Sequence, residues 1–231
     1  LAPCVTVALL GYLFSVSLVV LQFFFVLHGV CKRSNIFFVE VIMFIKLIKQ
    51  IIPSPNLNVS FDRNEINAKL GINLPDDYYD LVAIYGAGTF ANFIKILVPF
   101  SNEFEYSLFQ FMEIDREDYS YGRDFLELDV NNEDFDDPRL QKGWKVGEPF
   151  GYYPEKGGLI PWGKSPFGNE YTFYWNTSNE QWSVVVYDDL YGYKEFSMTM
   201  TEFLYNLLSN KIGLGNTFTE DSLLFVPFTE Q

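Results

Sequence analysis

Residues 158–208 read GLIPWGKSPFGNEYTFYWNTSNEQWSVVVYDDLYGYKEFSMTMTEFLYNLL. The runs GLIPWG, EYTFYW, QWSVVVY and KEF are dense in β-branched and aromatic residues, and breaks such as NTSNE and DDLYG separate them. Such breaks join strands as hairpins, so the runs predict an antiparallel meander. The period then changes. Thr199 with Glu202 three residues on is a capping-box signature, and Met198 stands opposite Phe203 as its staple. Met200, Phe203, Leu204, Leu207 and Leu208 mark one buried face of a closing helix.

Upstream of the meander the signals are helical. Asp62 can cap a helix with Glu65 three residues later and Phe61 set to staple to Ile66, and Gly71 ends it. In LPDDYYDLVAIYG, Pro75 opens a second helix and Asp76 and Asp77 face the positive end of its dipole. Tyr78, Leu81, Val82 and Tyr85 fall at i, i+3, i+4 and i+7, and Gly86 closes the helix. TFANFIKILVP, residues 89–99, predicts one strand ending on Pro99. From about 101 to 140 the pattern fits a helix or a strand, and the choice stays open. Helices, then a sheet, then a closing helix make an α+β domain over residues 56–213. The tail, residues 214–231, keeps Leu223, Leu224, Phe225, Val226 and Phe228 and is expected to dock on the body.

The first 42 residues are of another kind. From Val5 to Cys31 no side chain is charged, a run long enough to span a bilayer, and Lys32, Arg33, Lys46 and Lys49 follow it. Read as a transmembrane helix, the segment leaves the C-terminal body in the cytoplasm. Read instead as an over-extended gene start, it gives way to Met43, with residues 43–55 as lead-in and linker. The two readings stand with equal weight, and a cleaved signal peptide or a lipoprotein site at Cys31 fits the flanking residues poorly. Cytoplasmic placement of the body is the expectation under either, and membrane association requires the leader to be genuine.

The net charge of −14 is unevenly spread. Between Asn102 and Asp137 stand thirteen acids against Arg116 and Arg123. They are Glu103, Glu105, Glu113, Asp115, Glu117 and Asp118, then Asp124, Glu127, Asp129, Glu133, Asp134, Asp136 and Asp137. A bland reading makes them a solvated face that keeps the protein soluble. A sharper one makes them a docking surface for a basic protein partner, with Phe104, Tyr106, Tyr119, Tyr121, Phe125 and Phe135 threaded through as anchors. Direct nucleic-acid binding is not expected, because phosphate contacts need Lys and Arg clusters that the body lacks.

Catalytic constellations are scarce. His28 in the leader is the one histidine of the chain, and both cysteines, Cys4 and Cys31, flank the same leader. Neither a Ser-His-Asp or Cys-His arrangement nor a zinc site of the usual ligands can be built in the body, and no cofactor is expected. Asp129, Asn131 and Glu133 imitate the start of a calcium loop, but Asp134 occupies the turn-glycine place and Leu140 the bidentate-acid place. Asp188-Asp189 reads as a hairpin turn, Gly86 and Gly88 as turn formers, and Asn58-Val59-Ser60 and Asn176-Thr177-Ser178 as chance glycosylation patterns. Trp162, Trp175 and Trp182 are assigned to strands and to the core.

The ordered set LGINLPDDYYDLVAIYGAGTF, GLIPWG, YTFYWNTSNEQWSVVVYDD and the Phe-Leu-x-x-Leu-Leu helix resembles the SUKH superfamily, named partly for a yeast regulator of cell-wall assembly. The likeness covers roughly residues 58–212. It implies an α+β fold, no enzymatic activity and, in bacteria, an immunity protein that neutralises a toxin, often a nuclease. The pattern maps onto Leu74, Pro75, Tyr85, Gly86, Gly88, Trp162, Gly163, Trp175 and Trp182 as determinants of the fold. The leader and the middle section fall outside it. The expectation is a non-catalytic binder of a cognate toxin. A membrane-tethered scaffold or regulator of envelope processes is the alternative, and an enzyme working through carboxylates alone comes third.

Overall fold

The computed structural model of the chain describes residues 43–228, apart from 56, 121–143, 146–148, 167–170, 179–181, 189–191 and 215–216. The apolar leader and the acids from Asp124 to Asp137 lie outside the described residues.

Residues 43–51 are helical (α1), and they are followed by α2 (Arg63–Leu70) and α3 (Asp76–Tyr85). The Asp62 carboxylate accepts from the amides of Asn64 and Glu65, which caps α2 as its sequence predicts. Gly71, at φ 78°, ends it. Pro75 precedes α3 with φ −60°, and Tyr78, Leu81, Val82 and Tyr85 are all buried. The lead-in is built into this body, since Ile48 and Ile52 are fully buried and Tyr85 Oη donates to the Ile52 carbonyl at 2.7 Å.

Where one strand is expected at residues 89–99, the chain forms a hairpin, β1 (Gly88–Phe90) and β2 (Ile94–Ile96). Ala91 and Asn92 both take φ 51° in the connection. A three-residue loop of this kind needs left-handed backbone, and burial of Phe90, Phe93 and Ile94 around it holds an alanine there without glycine's help. The open middle section contains a helix, α4 (Leu108–Ser120). The meander follows as β3 (Leu159–Lys164), β4 (Tyr171–Asn176), β5 (Ser183–Asp188) and β6 (Gly192–Phe196), and then α5 (Met200–Leu208). The Thr199 hydroxyl accepts from the Glu202 amide, and all five expected stripe residues of α5 are buried. Asp188, expected in a turn, is instead the last residue of β5, buried and paired with Gly192. Trp182 stands one residue before β5 and is half-buried, packing on Trp175 at 5.9 Å.

The tail supplies a seventh strand, β7 (Phe225–Pro227), which pairs antiparallel with β1. The sheet order is β6-β5-β4-β3-β2-β1-β7. Leu214 and Phe218 enter the core on the way, and Asn210 holds Phe218 through both its amide and its carbonyl. Trp162, which sits at a bulge between Pro161 and Gly163, and Phe173 pack against Phe203 of α5 at 6.1 and 6.0 Å. Tyr78 of α3 meets Trp175 edge-on at 5.0 Å. Phe173 and Trp175 share one face of β4, and the helices α3 and α5 cover it.

Candidate partner-binding face

On the opposite face, Val226, Thr89, Lys95, Lys164, Thr172, Tyr187 and Tyr193 are successive cross-strand partners from β7 to β6. Two lysines therefore lie side by side near the middle of the sheet. Like charges directly opposite repel. Glu105, from the turn before α4, answers both, pairing with Lys95 and standing 3.9 Å from Lys164. The Lys95 ammonium holds the Glu105 carboxyl below its ordinary value, with Lys164 adding to the effect. Burial pushes the Lys164 amine down, since the rings of Phe104 and Phe111 cover it at 5.0 and 4.8 Å. Thr89 and Tyr106 are also linked by their hydroxyls at 3.3 Å. These contacts fasten residues 103–107 to the sheet.

Glu105→Gln should lower stability at neutral pH by roughly 1 kcal/mol, a small value because Glu105 is more than half exposed. The sign with pH follows from the direction of the shift. A carboxylate held below 4.5 in the fold stabilises above that pH and loses its contribution as pH falls through the folded value. The gap between wild type and Glu105→Gln in urea midpoints should accordingly close as pH falls from 4.5 through the folded value. A constant gap would remove the ion pair as its cause.

α4 turns Leu108, Phe111 and Asp115 inward at i, i+3 and i+7. Asp115, read from sequence as part of an exposed acidic face, is 7% exposed and accepts from Tyr174 Oη at 3.0 and 2.9 Å. It belongs to the packing of α4 on the sheet. Glu105 is engaged with the lysines. What remains outward is Glu103, Glu113, Glu117 and Asp118, with Arg116 among them. Phe104 and Ile114, 41% and 45% exposed, stand between these acids. The face thus joins negative charge to apolar anchor area. Of the expected aromatic anchors, Phe104 is exposed and Tyr106 is half-buried against Phe228, while the side chains of Tyr119, Tyr121, Phe125 and Phe135 lie outside the described residues. The other seven acids of the predicted set, Asp124, Glu127, Asp129, Glu133, Asp134, Asp136 and Asp137, lie outside the described residues.

Among the described residues no group of His, Cys, Asp and Glu is placed to hold a metal ion. Among them, too, no helix is long and apolar enough to cross a membrane. Pro75, Gly86, Gly88, Trp162, Gly163 and Trp175 sit at helix ends, strand contacts and the core, away from the acidic face. Compared with known proteins, residues 62–204 match a family model described as SUKH_6, SMI1-KNR4 cell-wall. No curated protein and no solved structure matches.

Proposed function

The chain belongs to this SMI1-KNR4 family of the SUKH superfamily, which includes toxin immunity proteins, and from that premise we propose that it is a non-catalytic binder that neutralises a cognate toxin. The observation that carries the reading is the outward set Glu103, Glu113, Glu117 and Asp118 around Phe104 and Ile114. A nuclease must hold phosphates with Lys and Arg, so the face it turns to its substrate is basic. An acidic surface with apolar anchors competes for that face, steering the encounter by charge and excluding substrate by contact.

Co-expression with a toxin encoded beside it should protect the cell, and the two chains should co-purify as a complex. Absence of both protection and complex would sink the proposal. The combined change Glu113→Lys, Glu117→Lys and Asp118→Lys should slow association about tenfold at low salt and flatten its salt dependence, while dissociation changes less. An unchanged association rate in stopped-flow mixing would remove this surface from the binding site.

A further inference from the structure

On the other flank of α4 lies a groove of about 590 Å³ whose charge is of the opposite sign. Its floor is apolar, made by Leu70, Phe109, Met112, Tyr153 and Pro154. Its cations are Lys69, in the last turn of α2, and Arg116 of α4, both exposed, and Glu113 is the one acid that lines it. Among the described residues neither cation has an ion-pair partner, and the Lys69 ammonium rests 3.7 Å from the centre of the Phe109 ring. Two exposed cations over an apolar floor contrast with the net charge of −14 of the chain.

The groove is already assembled. Tyr153 Oη donates to the Leu70 carbonyl at the end of α2, and Tyr152 Oη donates to the Met112 carbonyl of α4 at 3.3 Å. Two consecutive tyrosines thereby tie the helical walls to the 152–154 segment, so a ligand does not have to order them. The volume falls within the range of small-ligand pockets, room for two or three residues of a peptide. A basic side chain entering it meets two cations, whereas a carboxylate meets complementary charge and its apolar neighbour meets Phe109, Tyr153 and Pro154.

We propose that this groove binds an acidic segment of a protein partner, one large apolar side chain seated on the Phe109–Tyr153–Pro154 floor and an adjacent Asp or Glu carboxylate held between Lys69 and Arg116. The site adjoins the acidic face along α4, sharing Glu113 and Arg116 with it, but it selects the opposite charge and is tested with peptides and not with a toxin, so its failure and that of the immunity reading are read in different experiments. The test titrates the full chain, labelled with nitrogen-15, with acetyl-Glu-Phe-Glu-amide and with acetyl-Lys-Phe-Lys-amide. The acidic peptide should give saturable shifts at the amides of Lys69, Phe109 and Arg116, with the basic peptide binding at least tenfold more weakly. Lys69→Ala with Arg116→Ala should abolish the preference while lowering Tm by no more than about 4 °C, since both side chains are exposed and Lys69 gives up one contact with the Phe109 ring. No saturable shift at these residues, equal binding of the two peptides, or a preference that survives in the double variant would each overturn the proposal. Concentration-dependent shifts without peptide would place a second copy of the chain in the groove and overturn it as well.

Discussion

Valine at position 88 should pull β7 off the sheet and lower Tm by roughly 6–12 °C, equivalent to about 3 kcal/mol in a chain of this size. A Cβ at Gly88 would stand 2.3 Å from Phe225 Cζ and 2.6 Å from the Val226 carbonyl oxygen. The ring cannot retreat easily, because it is wedged against Tyr85 and Phe90 at 5.1 and 4.7 Å. Nor can the carbonyl, which belongs to the β1–β7 ladder. The strand must leave, taking with it the Phe228 amide bond to the Ala87 carbonyl and the Phe228 contact with Tyr106 at 4.6 Å. Thermal unfolding and amide exchange at Val226 would read the two consequences separately. Gly88→Ala combined with Phe225→Ala should cost less than the sum of the two single changes, since the second removes the ring that the first strikes. Strict additivity would mean that the ring and the glycine do not compete for the same space.

That glycine also shows where the sequence stops speaking. Read locally, Gly86 and Gly88 are turn formers, and Gly86 does end α3, at φ 70° with its amide bonded to the Val82 carbonyl. Nothing near Gly88 says that a three-residue strand from the far end of the chain will lie against it. α2, α3 and α5 were legible because their caps and apolar stripes lie within a few residues of each other. The strands β3, β4 and β5 were legible because dense β-branched and aromatic runs bounded by turns repeat along the chain. The hairpin at residues 88–96 was not, since its turn carries Ala91 where glycine would have announced it. The candidate face was half visible. Its charge could be counted, but the inward turn of Asp115 depends on the phase of a helix whose existence the sequence left open. Without that phase Asp115 is indistinguishable from Glu117. The pairing of Glu105 with two lysines needed the register of β2 on β3, a long-range fact. The groove combines α2, α4 and residues 153–154, and no local pattern brings those three together.

Asp77 gives the other large effect, and its role was hidden for the same reason. Read in sequence it offers charge to the dipole of α3. In the fold it is 3% exposed, and Oδ2 accepts from both the amide and the hydroxyl of Thr201 in the first turn of α5, at 3.0 and 3.1 Å. Oδ1 accepts from its neighbour Tyr78 at 3.0 Å. The carboxyl therefore joins the N-terminal ends of two helices. Asp77→Ala should lower stability by about 3 kcal/mol, because it strands two donors of the fully buried Thr201 and opens a gap between α3 and α5. Asp77→Asn keeps an acceptor and separates charge from hydrogen bonding. Burial pushes the Asp77 carboxyl above 3.8, outweighing the bonds from Thr201 that favour the anion. The folded state then holds its proton to higher pH than the unfolded state does. The stabilisation is complete below 3.8 and is lost as pH rises through the folded value. Urea midpoints compared from pH 4 upward should therefore shift in favour of Asp77→Asn as pH rises. A gap that widened against the variant instead would show that hydrogen bonding and the two helix ends outweigh burial, and that the anion is the form that holds α3 to α5.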